Sequence, residues 1–193
     1  MIFVVDTSSA LSAVALLDPS GRTVYEDLAE SGPSFDLPSR YRALEDGPAL
    51  TRVAVATGPG SFTGLRVGVS FCLGLAIGLG VPIVPLSTLA LQAARSESPA
   101  LAVSEAGRGR VYHLAPGRPA GLAEPAELPH DWHAVGWLRP STRAALEAAG
   151  VRMTADERLR GFGAAAAALL ETAKEVAYGR LQLEYMQSFS ARS

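Results

Sequence analysis

The sequence predicts an α/β protein of two lobes, each a mixed β-sheet flanked by helices. Three observations carry this. Apolar runs with helical stretches between them recur in the order βββαβαβ over the first half of the chain. The first three runs are joined by short turns, which makes them an antiparallel meander. The later runs arrive through helical crossovers, and such strands lie parallel to the first.

Each element has its own signal. "MIFVVD" is a short apolar strand ending in an acid, and "SAVALLDPSGRTVYEDLAE" holds two strands joined by the turn Asp18, Pro19, Ser20, Gly21. "DLPSRYRALED" predicts a short helix over 36–46, with Asp36 as N-cap, Pro38 in the first turn, Leu37, Tyr41 and Leu44 on one face, and Gly47 as its stop. "RVAVATG" supplies the fourth strand, 63–79 a long helix, and "VPIVPLS" the fifth strand. That order is the actin-like, or ribonuclease-H-like (ASKHA), half-domain. "STLALQAARS" adds a helix before a break at Ser98 and Pro99, which divides the chain into a lobe at 1–98 and a smaller, partly degenerate lobe at 99–193. In the second lobe "ALAVSEAGRGRVYHLAP" reads as a hairpin, 116–129 as an irregular connection and "HAVGWLR" as a short strand. "STRAALEAAG" and "FGAAAAALLETAKEVAYG" read as helices, and "LQLEYMQSF" as a terminal extended segment.

The 193 residues, 48% of them apolar, suffice for one substantial core or two small ones. With 17 basic against 19 acidic side chains there is no global field to draw in nucleic acid or an anionic membrane, so an RNA role is local or indirect. A single cysteine, Cys72, and no basic stretch ahead of an apolar one at Met1 predict a reducing, cytoplasmic setting. Residues 67–94 carry no charge and match the ~20 residues a membrane span needs. Gly80, Pro82 and Pro85 interrupt that run, so 63–79 is expected to be a buried helix and no membrane partner is expected.

The stretch "TGPGSFTGLRVG" links the fourth strand to the long helix and invites a catalytic reading. It lacks the lysine of a Walker A loop, the spacing of a dinucleotide fingerprint and the elbow of a serine hydrolase. The helix start still offers free N–H groups beside Ser61 and Thr63, so an anion or nucleotide contact at Asp6, Ser8, Gly60, Ser61 and Thr63 stands beside the simpler reading, in which these hydroxyls cap the helix. Asp6 ends the first strand, where nucleases of this fold hold metal and actin-like kinases hold phosphate. Yet the fourth strand ends in Thr57, Gly58, Pro59 without a second acid, and "DTSSALS" has no glycine to let backbone approach a phosphate. His130 and His133 have a ligand-like spacing but no third partner in their loop, and His113 reads as a strand side chain. No metal is expected.

"DTSS", "GPGSFTGLRVG", "VPIVPLSTLALQA" and "EAGRGRVY" resemble the TsaB (YeaZ) family over most of the chain. The resemblance implies a two-lobed actin-like fold and a role in making N6-threonylcarbamoyladenosine in tRNA. It implies a non-catalytic scaffold that pairs with the catalytic relative TsaD and an ATPase, TsaE, meets tRNA only through that complex, forms a homodimer alone, and holds no cofactor tightly, with a nucleotide at the subunit interface left open. The catalytic relative carries a metal-binding histidine pair on the helix corresponding to 36–46, and "DLPSRYRALED" has none. The sequence departs from the family in that shorter helix and in Glu105, Ala106, Gly107, where members usually carry "DAR". The alternative is an enzyme of this fold, an ASKHA-type ATPase or a glycoprotease-like peptidase.

The long helix is apolar all round, which requires cover on two sides when a sheet supplies one. The wheel sets Gly64, Gly68, Gly74 and Gly78 on one side with Val67, Phe71 and Leu75 among them, expected toward the sheet, and Val69, Leu73, Ala76 and Ile77 opposite. The partner interface is expected to use Leu37, Tyr41 and Leu44 of the short helix with Leu65, Val69, Leu73 and Ile77 of the long one.

Overall fold

The computed structural model describes residues 1–44 and 49–184. Strands β1 (Ile2–Asp6), β2 (Leu11–Leu17), β3 (Thr23–Glu30), β4 (Arg52–Gly58) and β5 (Ile83–Ser87) form one sheet in the order β3-β2-β1-β4-β5. β1 pairs antiparallel with β2 and parallel with β4, and β4 pairs parallel with β5. This is the ribonuclease-H-like arrangement expected from the order of elements. β1 is buried at every position, which is why it reads as a continuous apolar run, whereas β3 at the edge is only partly covered. The β2–β3 turn is held by Asp18, whose carboxylate accepts from the Ser20 and Arg22 backbone N–H groups.

Two helices lie on one face of this sheet. α1 (Leu37–Arg42) and α2 (Phe62–Leu79) cover Phe3, Val5, Val14, Val53 and Val55 with Leu37, Cys72 and Ala76. α2 ends where Gly80 takes a left-handed conformation, φ 65°. α3 (Thr88–Ala94) follows β5 directly. The second sheet runs β8-β7-β6-β9, from β6 (Leu101–Gly107), β7 (Arg110–Leu114), β8 (Gly121–Ala123) and β9 (Ala134–Val135). α4 (Pro140–Ala148) packs beside it, with Leu146 buried among Leu101, Val103 and Val111.

α5 (Phe162–Leu170) belongs to the second half of the chain but covers the other face of the first sheet. Phe162, Ala166 and Leu170 join Val4, Ala13 and Ala15 there. The second half therefore supplies a layer of the first sheet as well as a sheet of its own. Glu26 on β3 fixes the start of α5, accepting from Phe162 N at 3.2 Å and Gly163 N at 2.6 Å.

Four expectations are corrected. α1 is six residues long and gives way to a turn at Ala43 and Leu44, while residues 45–48, with the expected stop, lie outside the described residues. Asp36 occupies the N-cap position without a side-chain capping bond. The connection at 116–129 contains β8, which its prolines disguised; Gly121 pairs opposite His113, and a Cβ at Gly121 would lie 2.6 Å from the His113 Nε2. The last helix stops at Leu170, about half its expected length, because the open edge of β5 offers the backbone an alternative: Val176 N–H donates to Ile83 O at 3.0 Å. The terminal extended segment is described only to Glu184.

Candidate functional site

A cleft of about 990 Å3 opens between the two sheets. Its floor is the β1–β2 turn, Thr7, Ser8 and Ser9; its walls are the start of α2, the segment around Phe35, and the end of β6 with Glu105 and Arg139.

Asp6 lies fully buried below that floor. Its Oδ1 accepts from Ser8 N–H at 2.8 Å and Ser8 Oγ–H at 2.6 Å, and the Ser8 hydroxyl also meets Thr88 Oγ1 at 2.9 Å. Burial raises its pKa above the ordinary carboxylate value, and the two bonds from Ser8 offset only part of that. Ser8 O in turn accepts from Ser61 N–H at 2.7 Å. Through Ser8, Asp6 is thus linked to the starts of α2 and α3.

The glycines of the β4–α2 turn let these backbones touch. A Cβ on Gly60 would sit 2.3 Å from Ser8 O, and one on Gly64 would sit 1.9 Å from Thr7 O. Thr7 Oγ1 donates to Gly64 O at 2.7 Å, and Ser61 Oγ accepts from Gly64 N–H at 3.2 Å. Ser61 is the N-cap, and Thr63 is exposed on the first turn. Of the five residues considered for an anion contact, Ser8, Gly60, Ser61 and Thr63 line the cleft, and Asp6 lies beneath it.

At the opposite wall, Glu105 Oε1 accepts from Arg139 N–H and Thr142 Oγ1–H, both at 2.8 Å. Its carboxylate serves the start of α4, one of the free helix ends that need an acceptor. Among the described residues no three metal-ligating side chains gather.

The surface of α2 is the second feature. Leu65, Gly68, Cys72 and Ala76 face the sheet, while Phe62, Val67, Ile77 and Leu79 are exposed, Val67 at 51% and Ile77 at 54%. The helix is long and apolar enough to cross a membrane by length and composition. Its inward stripe is nevertheless committed to the sheet, as a β4-to-β5 crossover. The expected interface residues divide accordingly. Leu37 and Leu65 are core residues, 2% and 1% exposed, because both point at the sheet. Tyr41 is wedged edge-on between Phe3 and Phe71. Leu44, Val69 and Leu73 are half-buried, and Ile77 stands clear. The glycine expectation is half right: Gly64 and Gly68 meet Thr7, but a Cβ on Gly74 or Gly78 would meet nothing within 4 Å, so both face outward. Val67, expected toward the sheet, is exposed, Ala76, expected opposite, is buried against it, and Phe62 adds to the exposed face; only the position of the sheet distinguishes these roles on a helix apolar all round.

Residues 46–122 match the family profile of TsaD, tRNA N6-adenosine threonylcarbamoyltransferase. Curated relatives named tRNA threonylcarbamoyladenosine biosynthesis protein TsaB are 37% identical over 97 residues in Haemophilus influenzae and 34% over 125 residues in Bacillus subtilis. Those alignments cover 48% and 58% of this chain and 41% and 52% of the relatives, so the chain spans about half the length of the curated relatives it matches. The solved structure of YeaZ from Pseudomonas aeruginosa superposes with a TM-score of 0.70 at 22% identity, covering 96% of this chain and 99% of that one. It shares the fold.

Proposed function

We propose, from the chain's place in the TsaB/YeaZ family, that it is a non-catalytic subunit of a tRNA threonylcarbamoyladenosine biosynthesis system. The observation that carries this reading is the pairing of a structurally committed Asp6 with an uncovered apolar helix face. A catalytic acid in an ASKHA cleft must be free to meet metal or phosphate. Here Asp6 is fully buried beneath the cleft floor, its Oδ1 is taken by Ser8, its Oδ2 has no partner among the described residues, and the end of β4 adds Thr57 and Gly58 but no carboxylate. A helix with large apolar side chains in water is, by contrast, the kind of surface that protein partners cover.

In this reading α2 docks the catalytic relative TsaD through Val67, Ile77 and the edge at Val69 and Leu73, with Tyr41 and Leu44 bordering it. The ATPase TsaE joins that pair, tRNA is met through the assembly, and a second copy occupies the same face when the relative is absent. The subunit works in the cytoplasm and holds no nucleotide tightly alone. The test is co-purification with the cell's own TsaD. Wild type is expected to carry it stoichiometrically and Ile77→Glu, a change at an exposed position, to lose it while keeping its fold. Retention of TsaD at unchanged affinity by Ile77→Glu, or ATP turnover by the isolated wild type that Asp6→Asn abolishes, would overturn the reading.

A further inference from the structure

The chain beyond α5 does not stop at the edge of the first sheet. Residues 171–175 pass around that edge, and 176–184 run along the flank of α2 facing β5, with a single 3₁₀ turn (Tyr178–Arg180) on the way. The contacts mark its course. Val176 bridges Ile83; the Tyr178 phenol shares its proton between Val81 O at 2.8 Å and Ala76 O at 3.2 Å at the end of α2; Glu184 N–H donates to Thr57 O at 2.8 Å near the beginning of α2. Val176, Tyr178 and Leu181 pack with the cluster that holds Cys72, Val69 and Leu73. On the helical wheel Val69 and Leu73 lie on the side of the buried stripe away from Gly64 and Phe71, which face Thr7 and Tyr41. They therefore lie on the flank along which this segment runs.

We infer that residues 176–184 form a displaceable strap that gates the Val69–Leu73 edge of α2 against an apolar partner helix. Closed, the strap half-covers those two side chains; released, it exposes a docking surface continuous with Val67 and Ile77. Among the described residues, the hydrogen bonds that hold these nine residues to the rest of the fold are one isolated bridge, one phenol and one backbone bond near the far end, beside the packing of Val176, Tyr178 and Leu181. Segments fastened this way open locally at far lower free energy than the sheet beneath them. Release has no covalent step and needs only a competing apolar surface.

Cys72 supplies the readout, since it is the single cysteine and is buried in the cluster against which the strap packs. Labelling of native protein by a small aromatic disulfide, compared between wild type and Tyr178→Phe, tests the latch without any partner. The variant keeps the ring and loses the hydroxyl bonds, so labelling is expected to accelerate about tenfold in native buffer with secondary structure unchanged. Self-association, measured by sedimentation, is expected to tighten severalfold. This second result rests on the docking surface proposed above, which Ile77→Glu probes separately. Equal labelling rates in wild type and Tyr178→Phe, or rates that track global unfolding in denaturant for both, would overturn the strap. Faster labelling with self-association unchanged would overturn its gating role, and if Ile77→Glu also left association unchanged, the docking surface itself would be wrong.

Discussion

Asp6 ends β1 in a position that invites a catalytic reading, yet it is fully buried and bonded to Ser8. A carboxyl whose folded pKa is raised above its unfolded value gives its stability below the unfolded pKa and loses it as pH rises through the folded one. Asp6 is raised by burial, so the wild-type melting temperature should carry a declining component as pH climbs above the ordinary carboxylate value. Asn keeps the oxygen that accepts from Ser8 and removes the buried charge. Asp6→Asn should therefore be no less stable at neutral pH and should lose that component, as read by melting temperature against pH. A less stable variant with an unchanged slope would mean that something in the cleft needs the ionised acid. The glycines make a second residue-scale contrast. Gly64→Ala drives a Cβ into Thr7 O and should cost about 3 kcal/mol. Gly74→Ala meets open space in mid-helix and should gain ~0.5–1 kcal/mol. Denaturant midpoints of the two variants should move in opposite directions.

At the scale of elements, α2 has two distinct faces although its composition is nearly uniform. The stripe Leu65, Gly68, Cys72, Ala76 is buried because small residues at its start let the helix settle on the β1–β2 turn. Truncating that stripe and charging the opposite one should therefore have separate effects. Leu65→Ala should destabilise the fold by ~2–5 kcal/mol with partner affinity following only the loss of folded protein. Val67→Glu, at a half-exposed position, should leave the unfolding midpoint within about 0.5 kcal/mol and abolish association. Thermal melts beside pull-down of the proposed partner, TsaD, separate the two.

At the scale of the molecule, the first sheet is closed on its second face by a helix from the far half of the chain. Glu26 joins them across more than a hundred residues, its two oxygens taking the N–H groups of Phe162 and Gly163. Glu26→Ala removes that cap and should cost ~1–2 kcal/mol. The loss should fall on α5, whose first-turn amides should exchange hydrogen faster while those of β1 keep their protection. Uniform loss of protection across the sheet would mean that α5 and the sheet unfold as one unit.

Local chemistry determined much of this protein. The meander, the crossover strands, the position of α2 and the tight glycine turn were all legible, because alternation, periodicity and turn residues act over a few neighbours. So was the end of β4, which reads Thr57, Gly58 without a carboxylate. Tertiary structure decided what periodicity alone does not encode. Which side of an all-apolar helix meets the sheet depends on where Thr7 lies, so Leu65 became core, Gly74 became surface, and Val67 took the exposed place. The length of α5 was decided by the free edge of β5, which offered Val176 a partner that helix propensity could not match. β8 formed inside a proline-rich connection because β7 presented an edge and Gly121 fitted against His113. In each case the deciding group is distant in sequence, and only the folded backbone brings it within hydrogen-bond or van der Waals range.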